Sequence, residues 1–208
     1  MVIAMKKVTL FALVSIFMYP CYGFAASLGA AISEKASQVN LAGAFGNHIL
    51  LGGVNFYESG KTRARTRYFN LQEGMSYTAD FIFDREFTVA TAGLMYNIKY
   101  DTGLIVSPML TAGYNPYRDP NSIQGESGTT IVQPGVFIQW TQQAGRLYAN
   151  PKSTYFKNDD TWVPQLELGG DVNIGKNTTT GIKVDYTGST KLTGSGSTTF
   201  WLRVNYGF

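Results

Sequence analysis

The chain has 208 residues, with 17 Lys and Arg against 14 Asp and Glu, one His, one Cys and a mean hydropathy of −0.06. A formal net charge of +3 gives no reason to expect nucleic acid, and a lone cysteine excludes an internal disulfide or a thiolate metal cluster. Beyond residue 25 nothing is apolar for the roughly 18 residues that a helical span needs; a β-barrel escapes that test because its strands are apolar on one face only.

The chain opens on Lys6 and Lys7, followed by an apolar run from Val8 to Tyr19 and then Pro20, Gly23, Ala25 and Ala26. Charged head, short apolar centre and small residues are the pattern of a secretory signal, with cleavage expected after Ala25. The run is too short to span a bilayer as a helix. Residues 1–25 are therefore read as a signal peptide and 26–208 as one domain. Cys21, Lys6 and Lys7 leave with the signal, and losing two lysines and no acid lowers the formal charge from +3 to +1. The 23 glycines and 14% aromatics suit strands and turns better than helices.

Ser27 to Gln38 is small and polar, and reads as a lead-in with a helical turn at 32–37. Val39 to Tyr57 is glycine-rich and extended: either one long strand with an irregularity near Gly46-Asn47, or a hairpin turning there. Glu58-Ser59-Gly60 and Glu73-Gly74 read as turns, and Asp84-Arg85-Glu86 as a polar stop after Tyr77, Ala79, Phe81 and Phe83. Alternation is cleanest in the middle. Ala90 to Tyr100 and Leu104 to Tyr114 form two strands about the turn Asp101-Thr102-Gly103. After a polar loop at 115–129 come apolar faces on Val132 to Trp140, Trp162 to Ile174 and Thr180 to Tyr186, with a weaker strand at 146–156. Pro108, Pro134 and Pro164 lack a donor and require bulges or weakly paired sites.

The last strand is the most explicit. Phe200, Leu202, Val204, Tyr206 and Phe208 alternate with Trp201, Arg203, Asn205 and Gly207. The stretch resembles the C-terminal targeting strand of Gram-negative outer-membrane barrels, which ends in an aromatic residue. With the signal and the strand pattern, the chain resembles the small OmpA/OmpX-like or porin-like class, without a subfamily motif. The resemblance implies an antiparallel up-and-down transmembrane β-barrel in the outer membrane, in contact with lipid and lipopolysaccharide and inserted by the barrel-assembly machinery through this strand. It leaves the oligomeric state open. Counting back from Phe208, loops at 187–197, 157–161 and 115–129 alternate with shorter turns, as in such barrels, with 157–161 only marginally longer and 84–86 an exception. That gives eight strands from residue 75 onward. Residues 39–72 add two, for about ten strands, with eight and twelve as rivals. A soluble β-sandwich is the structural alternative.

Opposite the apolar face lie Gln133, Gln139, Gln165, Glu167, Asp171, Asn173, Lys183, Asp185, Arg203 and Asn205. Charges facing lipid at mid-depth would cost about 2–4 kcal/mol each for Lys or Arg, so Glu167, Asp171, Lys183, Asp185 and Arg203 are expected to fill the lumen. A three-residue turn at 176–178 would set Asp171 opposite Lys183. Lys61, Arg63, Arg65 and Arg67 share one face and read as a rim or lumen lining, or as a polyanion site, since arginine suits phosphate oxygens. His48 is the only histidine, and no serine stands in a nucleophile motif. The His-containing motifs of outer-membrane deacylases, palmitoyl transferases, phospholipases and omptin-type proteases find no match, and Asp159-Asp160 lacks the companions of the omptin acidic pair. No catalytic residue, metal site or cofactor is assigned. The expectation is a non-enzymatic barrel with a polar filled lumen and outer loops for surface interaction or envelope integrity. The alternatives are a narrow passive pore and an enzyme modifying lipid A or phospholipid.

Overall fold

The computed structural model describes residues 24–84, 88–116 and 128–208. Twelve antiparallel strands follow one another around a closed barrel: β1 Phe24–Ile32, β2 Ala36–Phe45, β3 His48–Tyr57, β4 Thr62–Asn70, β5 Gly74–Asp84, β6 Thr88–Lys99, β7 Leu104–Asn115, β8 Thr129–Gln142, β9 Gly145–Phe156, β10 Thr161–Asn173, β11 Thr178–Thr187 and β12 Ser197–Gly207. β12 closes on β1 from Ser27↔Gly207 to Ile32↔Leu202. An even count brings the first and last strands to the same end, where the Phe208 N–H donates to the Ala26 carbonyl at 2.9 Å. This is the near end below, and the opposite one the far end. The longest connection described throughout, 188–196, lies at the far end, and the near-end turns have two to four residues.

The count corrects the expected ten strands to twelve. The eight from residue 74 onward stand as expected, and the first part of the chain supplies four strands where two were expected. The segment 27–38 is no lead-in. It is most of β1, a turn at 33–35 and the start of β2. Its alternation is muted because alanine and glycine fill both faces, yet Ile32 points outward and Ala31 inward. Ser33 ties the turn, its hydroxyl accepting from the Ala36 N–H at 3.0 Å. The choice left open for 39–57 resolves as a hairpin, with Gly46 at φ +56° in the left-handed region that glycine occupies at little cost. The expected signal segment, up to residue 23, lies outside the described residues. The expected cut after Ala25 would fall within β1, whose pairing with β12 begins at Ser27.

Along every strand one face turns outward. Phe200, Leu202, Val204, Tyr206 and Phe208 are 49–65% exposed, whereas Trp201 is 4% exposed. The same holds around the ring for Leu94, Leu110, Leu168 and Ile182, with Tyr77, Tyr96, Tyr100 and Trp140 toward the near end and Phe83, Tyr114, Trp162 and Tyr186 toward the far end. An apolar belt of this extent is not stable in water. Bounded by aromatic girdles, it matches the lipid-facing band of a membrane barrel.

The prolines sit where the ladder opens. Pairing of β6 with β7 runs to Met95↔Met109 and resumes at Ile98↔Val106, stepping over Pro108. Pairing of β8 with β9 is broken beside Pro134 and again beside Pro151. Pro164 lies where β10 leaves β11, and its carbonyl accepts from the Gly188 N–H at 2.8 Å. At the Pro108 gap, the buried Asn97 side chain donates to the carbonyls of Asn70 (3.0 Å) and Gln72 (2.6 Å) and to the Ser76 hydroxyl (2.8 Å). It also accepts from the Ser107 hydroxyl at 2.6 Å. One carboxamide thus links the turn after β4 to β5 and β7.

Candidate functional site in the lumen

Period-two geometry sends the odd-numbered residues of β4, β8, β10, β11 and β12, and the even-numbered ones of β5 and β9, into the lumen. All five ionic residues expected there face inward. They fall into three groups. At mid-depth Glu167, the central residue of β10, meets Arg67 at 3.3 Å and Arg65 at 3.7 Å. β4 and β10 lie six positions apart in a ring of twelve, so these pairs cross the full lumen. Arg65 also holds Asp80 on the neighbouring β5, with its Nε donating at 2.9 Å. Lys152 on β9 approaches Asp80 at 3.7 Å and donates to Gln133 at 3.3 Å. Hydrogen bonds from Gln133 to Thr154 at 2.6 Å and from Thr154 to Gln165 at 3.2 Å extend the group along the wall.

Nearer the termini, the buried Asp171 accepts from Arg146 at 2.9 Å and from Arg203 at 2.8 Å. Arg203 donates to the Tyr148 hydroxyl at 2.8 Å. Tyr148 lies over Gly169, where a Cβ would meet its ring at 2.5 Å, so glycine makes room for that ring. Toward the far end, Asp185 accepts from the Trp201 indole at 2.8 Å and pairs with Lys183 at 2.9 Å, while the Lys183 ammonium lies 5.0 Å from the Trp201 ring centre.

One expectation is corrected. Asp171 does not oppose Lys183. The hairpin closes at 174–177, with the Ile174 N–H on the Thr178 carbonyl, so Asp171 pairs with Gly181 and Lys183 with Gly169. The four basic residues divide between rim and lumen. Lys61 stands in the loop before β4, Arg63 lies near the far rim with its guanidinium 5.8 Å from the Tyr57 ring centre, and Arg65 and Arg67 are engaged with carboxylates. Sequence reasoning missed Asp80, Arg146, Tyr148 and Lys152. The polar positions of β9 alternate with Leu147, Ala149 and Pro151, and that contrast was the signal available.

His48 begins β3 on the outer face, with its Nδ1 2.7 Å from the Tyr68 hydroxyl and the two rings stacked. Among the described residues, neither a serine nor a carboxylate is hydrogen-bonded to it.

A cavity of about 540 Å³ occupies the near-end half of the lumen. It runs from Gly207, Lys176 and Asn177 at the mouth up to Arg65, Arg67 and Glu167. Beyond that layer Gln133, Thr154, Thr161 and Trp201 are all buried.

No family model and no curated protein matches the chain. Solved structures do. The NanC porin in a rhombohedral crystal form aligns with a TM-score of 0.61 and 11% identity over 88% of this chain and 98% of that one. The KdgM porin in complex with disordered oligogalacturonate gives 0.60 and 10% over 88% and 99%. The COG4313 outer membrane channel from Pseudomonas putida F1 gives 0.53 and 8% over 91% and 97%. At these identities the likeness is one of fold, and the fold is that of a porin-like outer-membrane barrel.

Proposed function

We propose that this chain is a non-enzymatic integral outer-membrane barrel, with both termini in the periplasm and a lumen closed at mid-depth by its own side chains. Its far-end loops then face the medium, where they serve surface interaction or envelope integrity. Lys61 and Arg63 at that rim suit lipopolysaccharide phosphates. The observation that carries the reading is the bridge across the lumen, Glu167 held by Arg65 and Arg67 from the opposite wall. About eight strands leave an interior that side chains fill and about sixteen leave a channel, and in this barrel of twelve side chains from opposite walls still meet. Planar-bilayer recording tests it. The native barrel is expected to show no discrete open-channel steps, and Arg67→Ala with Glu167→Ala is expected to produce them. Regular steps from the native barrel would overturn the reading.

A narrow passive pore is the second reading. The near-end cavity favours it, since half the lumen is already open. Among the described lumen residues, Arg65, Arg67, Arg146, Lys152, Lys183 and Arg203 outnumber Asp80, Glu167, Asp171 and Asp185. Such a pore would pass anions ahead of cations, a preference that the reversal potential in a salt gradient measures. The KdgM neighbour, captured with oligogalacturonate, fits that preference.

A further inference from the structure

The near-end cavity has two unlike walls. Ile49 and Leu51 on β3 and Phe137 on β8, beside β9, give it a partly exposed apolar surface, backed by the buried Phe69 and Leu71. Phe69 and Phe137 stack with ring centres 5.5 Å apart. Across the lumen, six strands from β3, Arg146 and Tyr148 of β9 join Asp171 and Arg203. Two guanidinium groups share the single Asp171 carboxylate, and Lys176 and Lys183 also line the cavity, so its polar side is cationic. Arg146 spends one nitrogen on Asp171 and keeps 45% of its side chain exposed.

A water-filled lumen needs polar walls, and an apolar wall facing water is unfavourable unless something covers it. Ligand pockets of roughly 300–1,000 Å³ pair such a wall with a few polar groups that fix orientation, and the cavity of about 540 Å³ falls within that range. We propose that this vestibule binds a single-chain amphipathic monoanion from the periplasmic side. Its acidic headgroup lies on Arg146, and its alkyl chain lies along Ile49, Leu51 and Phe137. The cationic side selects an acidic headgroup, and the exposed Arg146 nitrogens offer the bidentate geometry that a carboxylate takes. The site stands on the near-end walls alone and does not depend on whether the lumen conducts.

The test uses the full barrel in nanodiscs, with calorimetric titration of octanoate corrected against empty nanodiscs. One saturable site per barrel is expected. Butyrate, which lacks the tail, and octyltrimethylammonium, which reverses the charge, are each expected to bind at least about tenfold more weakly. Arg146→Gln and, separately, Phe137→Asn should each weaken octanoate about tenfold with heat-modifiable migration unchanged. No saturable binding above empty nanodiscs would overturn the proposal, as would equal binding of butyrate or of octyltrimethylammonium. The comparison of ligands on the native barrel holds even if a variant fails to fold. Failure here would leave the closed-lumen reading untouched, because conductance reads the mid-depth bridge instead.

Discussion

Asn97 shows how much one polar side chain settles in a barrel. It is 1% exposed, and of its four hydrogen bonds one spans the gap that Pro108 leaves in the ladder, to Ser107, while three reach Asn70, Gln72 and Ser76. Asn97→Ala would strand the Ser107 hydroxyl and the carbonyls of Asn70 and Gln72, at about 1–3 kcal/mol for each group left unsatisfied. A loss of at least about 2 kcal/mol in urea unfolding from micelles is therefore expected, and an unchanged midpoint would contradict this role. Glu167 allows a sharper test. Removing one partner of a buried pair costs roughly 3–5 kcal/mol, whereas replacing both by packed apolar groups is often neutral. Glu167→Leu should destabilise the barrel, and Arg67→Met added to it should restore much of the loss, since the charge left alone is then gone. A double variant as weak as the single one would show that the bridge is not a coupled pair. The sequence placed Glu167, Asp171, Lys183, Asp185 and Arg203 in the lumen because alternation fixes the face. It could not name their partners, because Arg67 and Glu167 stand 100 residues apart and meet only once the sheet has closed.

Strands were legible in proportion to the contrast between their two faces. β12, with five large apolar residues against Trp201, Arg203 and Asn205, was readable to its last residue, and so were β6 and β7. β1 was missed because Ala25, Ala26, Ala30 and Ala31 sit on both faces and give hydropathy no period. The same difficulty left the β2–β3 hairpin undecided, and a two-residue error in one turn misplaced the partner of Asp171. Closure depends on the least legible strand pairing with the most legible one. Phe208 sits at that seam, its N–H on the Ala26 carbonyl and its ring 5.4 Å from that of Tyr206. Phe208→Ala keeps the backbone bond and removes the ring contact at the closing strand. The expected result is a smaller heat-modifiable, folded fraction in cell envelopes, with a nearly unchanged unfolding midpoint for the molecules that do fold. A full folded fraction would deny this strand its targeting role.

For the molecule as a whole, the decisive question is which solvent the outer face meets. A soluble sandwich and a membrane barrel can share a period-two pattern, which is why both were open at the level of sequence. They differ in whether the apolar face is inside or outside. Here Met95, Ile131 and Trp201 point in among buried polar groups, while Leu94, Leu110, Ile182 and Leu202 point out. Leu110, 57% exposed near the middle of β7, is a suitable probe. In water, exchanging an exposed leucine for lysine would be neutral or favourable. In a bilayer, Leu110→Lys should cost about 2–4 kcal/mol, while Thr198→Lys at the far rim of β12 should cost about 0–1 kcal/mol, because the penalty falls toward the interface. Unfolding midpoints of both variants in lipid vesicles separate the two cases. Equal midpoints would mean that the belt does not face acyl chains, and the lumen assignment of every ionic residue would fail with it, because both follow from the same alternation.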